Sequence, residues 1–181
     1  MNAWRLNARR FNDRRFAAWR GRYGEHVSSA PRCPHCRHFV FLGTLTCPNC
    51  EGELGFNLLD RSFYGIRQGR AVIEGVTWYT CSNRGWGCNW LVREDAPAGT
   101  CFSCRLTRRQ PDSNDTIALE KLGKTEEAKR RLILQLGELG LPIVPWDVNK
   151  GGLGFDLVSS LSSGERVVIG HANGIITIDL A

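Results

Sequence analysis

The sequence predicts an α+β protein in which a small β-rich module is followed by a helix and a β-hairpin. Three observations support this fold class. Eight cysteines fall into two groups of four within residues 33–104, among short runs of strand-forming residues. Residues 116–139 place apolar side chains mostly three or four positions apart, as in an amphipathic helix. Two strand-like runs follow, at residues 167–169 and 175–178, around the turn-forming pair Asn173 and Gly174.

Length and composition are those of a folded chain. Of the 181 residues, 42% are hydrophobic and 23% are charged, so a conventional core can form without covalent cross-links. No transmembrane segment is expected, because no run of 18 apolar residues occurs, and the N-terminus lacks the features of a secretory signal. We therefore expect a cytoplasmic protein. In that reducing compartment, closely spaced cysteines are interpreted first as metal ligands.

Residues 1–29 are expected to form a basic amphipathic helical arm. Residues 1–26 hold seven arginines and only two acidic residues, with aromatic residues interleaved. Such an arm could grip nucleic acid, lie on a membrane surface or dock on an acidic partner. The alternative is that its aromatic residues pack on the protein itself. The candidate nucleic-acid or partner-binding residues are Arg5, Arg9, Arg10, Arg14 and Arg15.

The first cysteine group consists of two C-x-x-C turns, Cys33 to Cys36 and Cys47 to Cys50. Two such turns supply the four sulfurs that tetrahedral zinc requires, and the spacing is that of a structural zinc site. We expect residues 39–45 to form the small hairpin of a zinc ribbon. Disulfides, a redox C-x-x-C and an iron site are the alternatives. His35 and His38 are expected at the surface or beside the ligands.

The second cysteine group is less regular, with Cys81, Cys88, Cys101 and Cys104. Only Cys101 and Cys104 form a C-x-x-C turn, and six residues separate Cys81 from Cys88. Because this group again contains four cysteines, we predict a second structural zinc ion. The alternative is that Cys81 and Cys88 are simply buried thiols.

The predicted domains are the arm at residues 1–29, a double zinc-binding domain at 30–110, and a helix and hairpin at 111–181. No helix is expected in the zinc-binding domain. For the long helix, Asp115 is the expected N-cap and Gly140 the expected end. The strand at residues 175–178 is expected to leave an exposed sheet edge. Glycine-rich residues 151–154 and His171 are interpreted as turn residues.

Four stretches, in order, resemble a known family. They are Cys88-Asn-Trp-Leu-Val, then Cys101-Phe-Ser-Cys-Arg-Leu-Thr through Asp112, then residues 128–142, and finally Gly170-His-Ala-Asn-Gly-Ile-Ile-Thr-Ile. Together they resemble bacterial zinc-binding metallopeptidases that begin with a zinc ribbon. The resemblance covers about residues 31–181. It implies that the cysteines are structural and that the hydrolytic zinc would sit on an H-E-x-x-H helix after the hairpin.

That catalytic motif is absent from these 181 residues, since none of the four histidines begins it. No catalytic residue can therefore be assigned. The first function hypothesis is the N-terminal zinc-ribbon part of a zinc-dependent metallopeptidase, itself inactive, with the catalytic region missing. The alternative is a complete, non-enzymatic zinc-ribbon module that binds protein or nucleic acid.

Overall fold

The computed structural model describes residues 30–164 and 166–181. The described residues form several small sheets and few helices, which confirms the predicted mixed fold. The candidate arm residues Arg5, Arg9, Arg10, Arg14 and Arg15 lie outside the described residues, so their role stays a prediction.

The cysteine-containing half is built from two antiparallel sheets. The first sheet pairs two strands, β1 (Leu54–Asn57) and β2 (Ser62–Gly65). The second sheet has three strands in sequence order, β3 (Arg70–Ile73), β4 (Val76–Thr80) and β5 (Leu91–Val92). The second sheet contains the strand-forming runs of the sequence at residues 72–73, 76–79 and 91–92. A short helix, α1 (Phe102–Arg105), corrects the expectation that this half has none.

The second half centres on a four-stranded mixed sheet. Its elements are β6 (Thr107–Arg109), α2 (Thr116–Glu138), β7 (Gly154–Val158), α3 (Ser160–Ser163), β8 (Gly170–Ala172) and β9 (Ile175–Asp179). The strand order is β6-β7-β9-β8, with β7 parallel to both of its neighbours. A parallel pair needs a long crossover, and α2 supplies it between β6 and β7. The sequence predicted the helix and the hairpin but not this parallel centre.

Both predicted ends of the long helix are confirmed. Asp115 is the N-cap, and its Oδ1 accepts a hydrogen bond from the backbone N–H of Ala118 at 2.9 Å. The helix ends at Glu138, and Gly140 has a φ of +67°, the left-handed conformation that favours glycine after a helix. Gly123 does not interrupt it.

The predicted apolar face of α2 is partly wrong. Ala128, Leu132 and Leu139 are exposed, although they follow the helical spacing. The helix instead buries three charged residues, Glu126, Lys129 and Arg130, beside its apolar contacts. Each charge has a specific polar partner on the neighbouring elements, which offsets part of the cost of burying it, although Glu126 Oε2 and one guanidinium nitrogen of Arg130 stay buried without a partner among the described residues.

The hairpin has the predicted turn but a shifted first strand. Asn173 and Gly174 have φ values of 49° and 83°, the two positive angles of a type I′ turn. A two-residue loop fixes the register, so β8 pairs Ala172 with Ile175 and lies at residues 170–172 rather than 167–169. His171 is therefore an exposed strand residue and not a turn residue.

The expectation that residues 175–178 form a sheet edge is also wrong. β9 lies between β7 and β8, and its backbone is paired on both sides. The edge on this side is β8, whose three residues are all exposed. It is short, which limits its use as a template for another chain.

One hydrophobic core connects the two halves. Both cysteine groups contribute to it, together with Trp90 and Phe56 of the first half and Leu122, Ile133 and Leu157 of the second. These five large side chains are at most 2% exposed. The cysteine groups are therefore joined to the helix and the mixed sheet by continuous packing.

Candidate metal centres

The two C-x-x-C turns of the first group have the same backbone structure. In the first turn, the Cys33 N–H donates to the carbonyl of His38 at 2.8 Å, and the Arg37 N–H donates to the carbonyl of Cys33 at 3.0 Å. In the second turn, the Cys47 N–H donates to Gly52 and the Glu51 N–H to Cys47, both at 2.9 Å. Each turn is closed by an antiparallel bridge.

This arrangement replaces the hairpin predicted at residues 39–45. The bridges join Arg32 with Phe39 and Thr46 with Glu53, so each turn folds back on itself. Among the described residues, positions 39–45 contain no strand; a turn there is closed by the Thr44 N–H donating to the carbonyl of Phe41 at 2.9 Å. Residues 39–45 connect the two turns. Hydrogen bonds from Asn89 and Arg84 hold this connector in place.

The four sulfurs of the first group face one another. The Sγ atoms of Cys33 and Cys50 are 3.7 Å apart, those of Cys36 and Cys47 are 3.6 Å apart, and all four lie within 4.8 Å. A zinc–sulfur bond of about 2.3 Å gives a tetrahedron with edges of about 3.8 Å, whereas a disulfide needs about 2.05 Å. The donor set therefore fits zinc, and the eight cysteines are free thiols.

The second group has the same sulfur–sulfur distances as the first but is built from different chain segments. The Sγ atoms of Cys81 and Cys104 are 3.7 Å apart, and those of Cys88 and Cys101 are 3.6 Å apart. The chain from Cys81 to Cys88 makes a 3₁₀ turn at Ser82–Trp86 and then passes through Gly87, whose φ is 83°. Cys81 and Cys88 are thus more than isolated buried thiols, because their sulfurs converge with the C-x-x-C pair.

Backbone groups support the sulfurs of the second group. The Cys101 N–H donates to the sulfur of Cys81 at 3.3 Å, and the Cys104 N–H donates to the sulfur of Cys101 at 3.5 Å. Cys101 is the N-cap of α1, so this bond also caps the helix. Hydrogen bonds of this kind orient the ligands of a metal and stabilise their thiolate form.

Each group contains a sulfur that favours the thiolate. The backbone of His38 lowers the pKa of Cys36 to about 6. Hydrogen bonding with the Cys101 and Cys104 thiols lowers the pKa of Cys81 well below that of a free thiol. The pKa values of Cys50 and Cys104 are raised instead, by desolvation and by hydrogen bonds with the neighbouring sulfurs, so each metal-free group combines thiolates with thiols whose protons zinc would displace.

The two groups differ in exposure. Cys81, Cys88, Cys101 and Cys104 are all buried, the most open of them at 6%. In the first group Cys33 and Cys47 are fully buried, Cys36 is half-buried and Cys50 is exposed. His35 and His38 are exposed and belong to neither sulfur group, as expected.

Two polar residues near the second group hold the connector of the first. Asn89 is 1% exposed, and its Nδ2 donates to the carbonyls of Leu42 at 2.6 Å and Thr44 at 3.1 Å. Arg84 donates to the carbonyls of Leu54 at 3.1 Å and Leu45 at 3.3 Å. Neither residue was predicted from the sequence, although each lies in or next to the wide loop between Cys81 and Cys88.

Charged residues of α2 connect this helix to the second cysteine group and to β6. Arg130 donates to the carbonyl of Gly87 at 2.8 Å, directly before Cys88. Lys129 and Glu126 form a buried ion pair at 2.7 Å, and both contact the hydroxyl of Thr107 in β6. No sequence signal distinguished these charges from the solvated charges of the same helix.

No helix in the described part of the chain is long and apolar enough to cross a membrane.

Four-sulfur groups held by short turns are typical of structural zinc domains, zinc ribbons among them. Comparison with protein families agrees, since residues 31–115 match a zinc-ribbon domain family. Residues 118–181 match a family described as "Putative zinc-binding metallo-peptidase". The resemblance seen in the sequence is thereby confirmed, with the zinc ribbon in the first half and the peptidase family in the second.

Three curated relatives are similar over most of this chain. One is an uncharacterized protein of Mycobacterium bovis and two are uncharacterized proteins of Mycobacterium tuberculosis strains. Each is 39% identical over 151 residues, which cover 82% of this chain and 42% of the relative. The chain thus spans less than half the length of the curated relatives it matches. No solved structure matches it.

Proposed function

We propose that the eight cysteines hold two structural zinc ions, and that this chain is the zinc-ribbon and leading part of a zinc-dependent metallopeptidase. The observation that carries the first part is the pair of four-sulfur groups, each with two sulfur–sulfur distances of 3.6–3.7 Å and all four sulfurs within 4.8 Å of one another. Zinc saturated by four protein ligands keeps no position for water or substrate. Its role here is to fix the fold and not to activate a nucleophile.

The ligands proposed for the first zinc are Cys33, Cys36, Cys47 and Cys50, and those for the second are Cys81, Cys88, Cys101 and Cys104. Cobalt(II) titration of the metal-free chain tests this assignment, since thiolate-bound tetrahedral cobalt absorbs strongly. We expect saturation at two equivalents, and at one equivalent for Cys36→Ser or Cys88→Ser. Saturation that stays at two equivalents in either variant would contradict the ligand set.

For the second part of the proposal, we expect no hydrolysis of casein by residues 1–181. The sequence lacks the H-E-x-x-H motif, so neither the zinc-bound water nor the glutamate base of that chemistry is supplied. The match of residues 118–181 supports a role for this half beside a catalytic region. Casein turnover that is lost with a chelator and restored by zinc would contradict the assignment.

A cytoplasmic, bacterial setting belongs to the same proposal. Eight free cysteines at zinc spacing suit a reducing compartment, and the curated relatives are mycobacterial. A zinc-loaded chain recovered from the cytoplasmic fraction of its source would agree. A chain recovered with disulfides from another compartment would not.

Partner binding by the zinc ribbon is the second candidate function. It is favoured by Phe41, which is 85% exposed, and by Phe39, which is 55% exposed and stacked under the Arg32 guanidinium at 3.7 Å. Bases of single-stranded nucleic acid stack on such side chains. Titration with a labelled oligonucleotide tests this: salt-sensitive binding that Phe41→Ala weakens would support it, and no binding at low salt would reject it.

A further inference from the structure

The two cysteine groups offer different access to an oxidant. All four cysteines of the second group are buried, whereas in the first group Cys50 is exposed and Cys36 is half-buried. Gly52 places no side chain beside the Cys50 sulfur: a Cβ there would lie 3.5 Å from that sulfur and 2.9 Å from the His35 ring. Cysteine oxidation follows thiolate character and exposure, and every zinc-bound cysteine is a thiolate.

We propose that Cys50 is a peroxide-reactive site and that the first cysteine group is a reversible redox switch. This inference rests on the proposed zinc ligation. It assigns the sensitivity to peroxide to one sulfur of the first group. The second group is expected to resist oxidation, so the two zinc sites respond differently to the same oxidant.

The reaction needs only hydrogen peroxide as co-reactant. The Cys50 thiolate attacks one peroxide oxygen, the O–O bond breaks, and hydroxide leaves, which makes Cys50 a sulfenic acid. The thiolate of Cys33 then attacks the Cys50 sulfur, an S–S bond forms, and a second hydroxide leaves. Two thiolates and one peroxide give one disulfide and two hydroxides. The two sulfurs that remain no longer complete a four-coordinate site, and zinc is released.

The position of Cys33 makes it the resolving residue. Its sulfur lies 3.7 Å from that of Cys50, and its side chain is fully buried. A buried sulfur is protected from peroxide yet adjacent to the oxidised one. Forming the bond requires the two sulfurs to approach to about 2.05 Å, which rotation of the two side chains allows once Cys50 is a sulfenic acid.

The test uses the full chain loaded with zinc and a graded series of peroxide concentrations. Zinc release is followed with a chromogenic chelator, and oxidised cysteines are located by differential alkylation and peptide mass mapping. We expect one zinc per chain to leave first, about tenfold faster than the second, together with a Cys33–Cys50 disulfide. Reductant and zinc should restore the starting state. Release of both ions at one rate, or first oxidation at Cys81, Cys88, Cys101 or Cys104, would overturn the proposal.

Two matched variants sharpen the result. Histidine is also a zinc ligand, so Cys50→His removes the exposed thiolate while keeping a four-ligand site, and Cys36→His does the same at the half-buried position. We expect the fast phase to disappear in Cys50→His and to persist in Cys36→His. A fast phase retained in Cys50→His would contradict the inference.

The zinc content before oxidation tests the proposed zinc ligation separately from the redox switch that rests on it. A chain that carries no zinc at the start refutes the zinc assignment itself. A chain that carries two and loses them together refutes only the switch. If Cys50→His cannot hold the first zinc, the peptide map of the unmodified chain still decides which sulfur reacts first.

Discussion

The two cysteine groups reach the same sulfur geometry by different routes. The first is built from two equal turns close in sequence and leaves Cys50 exposed. The second joins one turn to a wide loop and buries all four sulfurs. The group that is easier to recognise in the sequence is therefore the more open one. Regular spacing identifies a metal site, but burial depends on what packs around it.

The largest effect is expected when a zinc ligand is removed from the buried second group. Cys88→Ser removes a ligand from a site that lies in the core shared with α2 and the mixed sheet. Structural zinc contributes on the order of 10 kcal/mol to the folding of small zinc domains. We expect loss of the second zinc and of cooperative unfolding, measured by zinc content and circular dichroism. Cys50→Ser, at the exposed edge, should leave the second zinc bound; equal losses in both variants would remove the distinction between the groups.

A second comparison lies within α2, between a buried and an exposed ion pair of nearly the same N–O distance. Lys129 and Glu126 are 2.7 Å apart with side chains 2% and 7% exposed, whereas Lys124 and Glu120 are 2.8 Å apart and largely exposed. Removing one partner of a buried pair costs about 3–5 kcal/mol, because the other charge stays buried.

We therefore expect Lys129→Met to lower the free energy of unfolding by about 3–5 kcal/mol, and Lys124→Met by less than about 0.5 kcal/mol. Urea unfolding of the zinc-loaded chain measures both. The double variant Glu126→Leu with Lys129→Met should recover much of the loss, since it leaves no unpaired charge. Similar effects at positions 124 and 129 would show that burial is not what matters.

A smaller effect is expected for the contact between α2 and the second cysteine group. Arg130→Ala removes the hydrogen bond to the Gly87 carbonyl, which as a charged bond contributes about 1.5–3 kcal/mol. The next residue, Arg131, forms an exposed pair with Glu127 and serves as the control. We expect urea unfolding to separate the two variants, with Arg131→Ala close to the unmodified chain. Faster zinc loss from the second group in Arg130→Ala alone would sharpen the link between this contact and the metal site.

The smallest effect concerns the N-cap of α2. The hydroxyl of Ser159 and the backbone N–H of Ala118 lower the pKa of Asp115. A carboxylate with a depressed folded-state pKa stabilises the protein above its unfolded pKa, and this contribution is lost as the pH falls through the folded-state value. Asp115→Ala should thus destabilise the chain slightly at pH 7 and converge with it in acid.

Asp115→Asn is the control for that prediction, since asparagine keeps a capping oxygen without the charge. Thermal unfolding between pH 7 and pH 3 should show a small loss for Asp115→Asn at pH 7 that vanishes in acid, where the protonated Asp115 resembles asparagine. A difference between Asp115→Ala and the unmodified chain that is independent of pH would contradict the assigned role of the carboxylate.

The sequence predicted the features that depend on residues close together in the chain. Cysteine spacing identified both sulfur groups, and Asp115, Gly140 and the Asn173–Gly174 turn marked their elements correctly. Each of these residues acts on a backbone within a few positions of itself. The fold class followed from the same signals.

What the sequence left out depends on contacts between distant segments. The parallel pairing of β6 with β7 joins strands separated by the whole of α2. Lys129 and Arg130 look like solvated helix charges until Glu126, Thr107 and the Gly87 carbonyl are placed beside them. Asn89 is an ordinary polar residue whose importance comes from two carbonyls more than 40 positions away. Helical periodicity for this reason misplaced part of the buried face of α2.

Native mass spectrometry of the chain, purified under reducing conditions from zinc-supplemented medium, tests the central claim most directly. It reads the chain mass, near 20.3 kDa, and the bound metal together. We expect one species with two zinc ions, which are removed only by a strong chelator or an oxidant. A metal-free chain whose mass is reduced by disulfide formation within each group would contradict it.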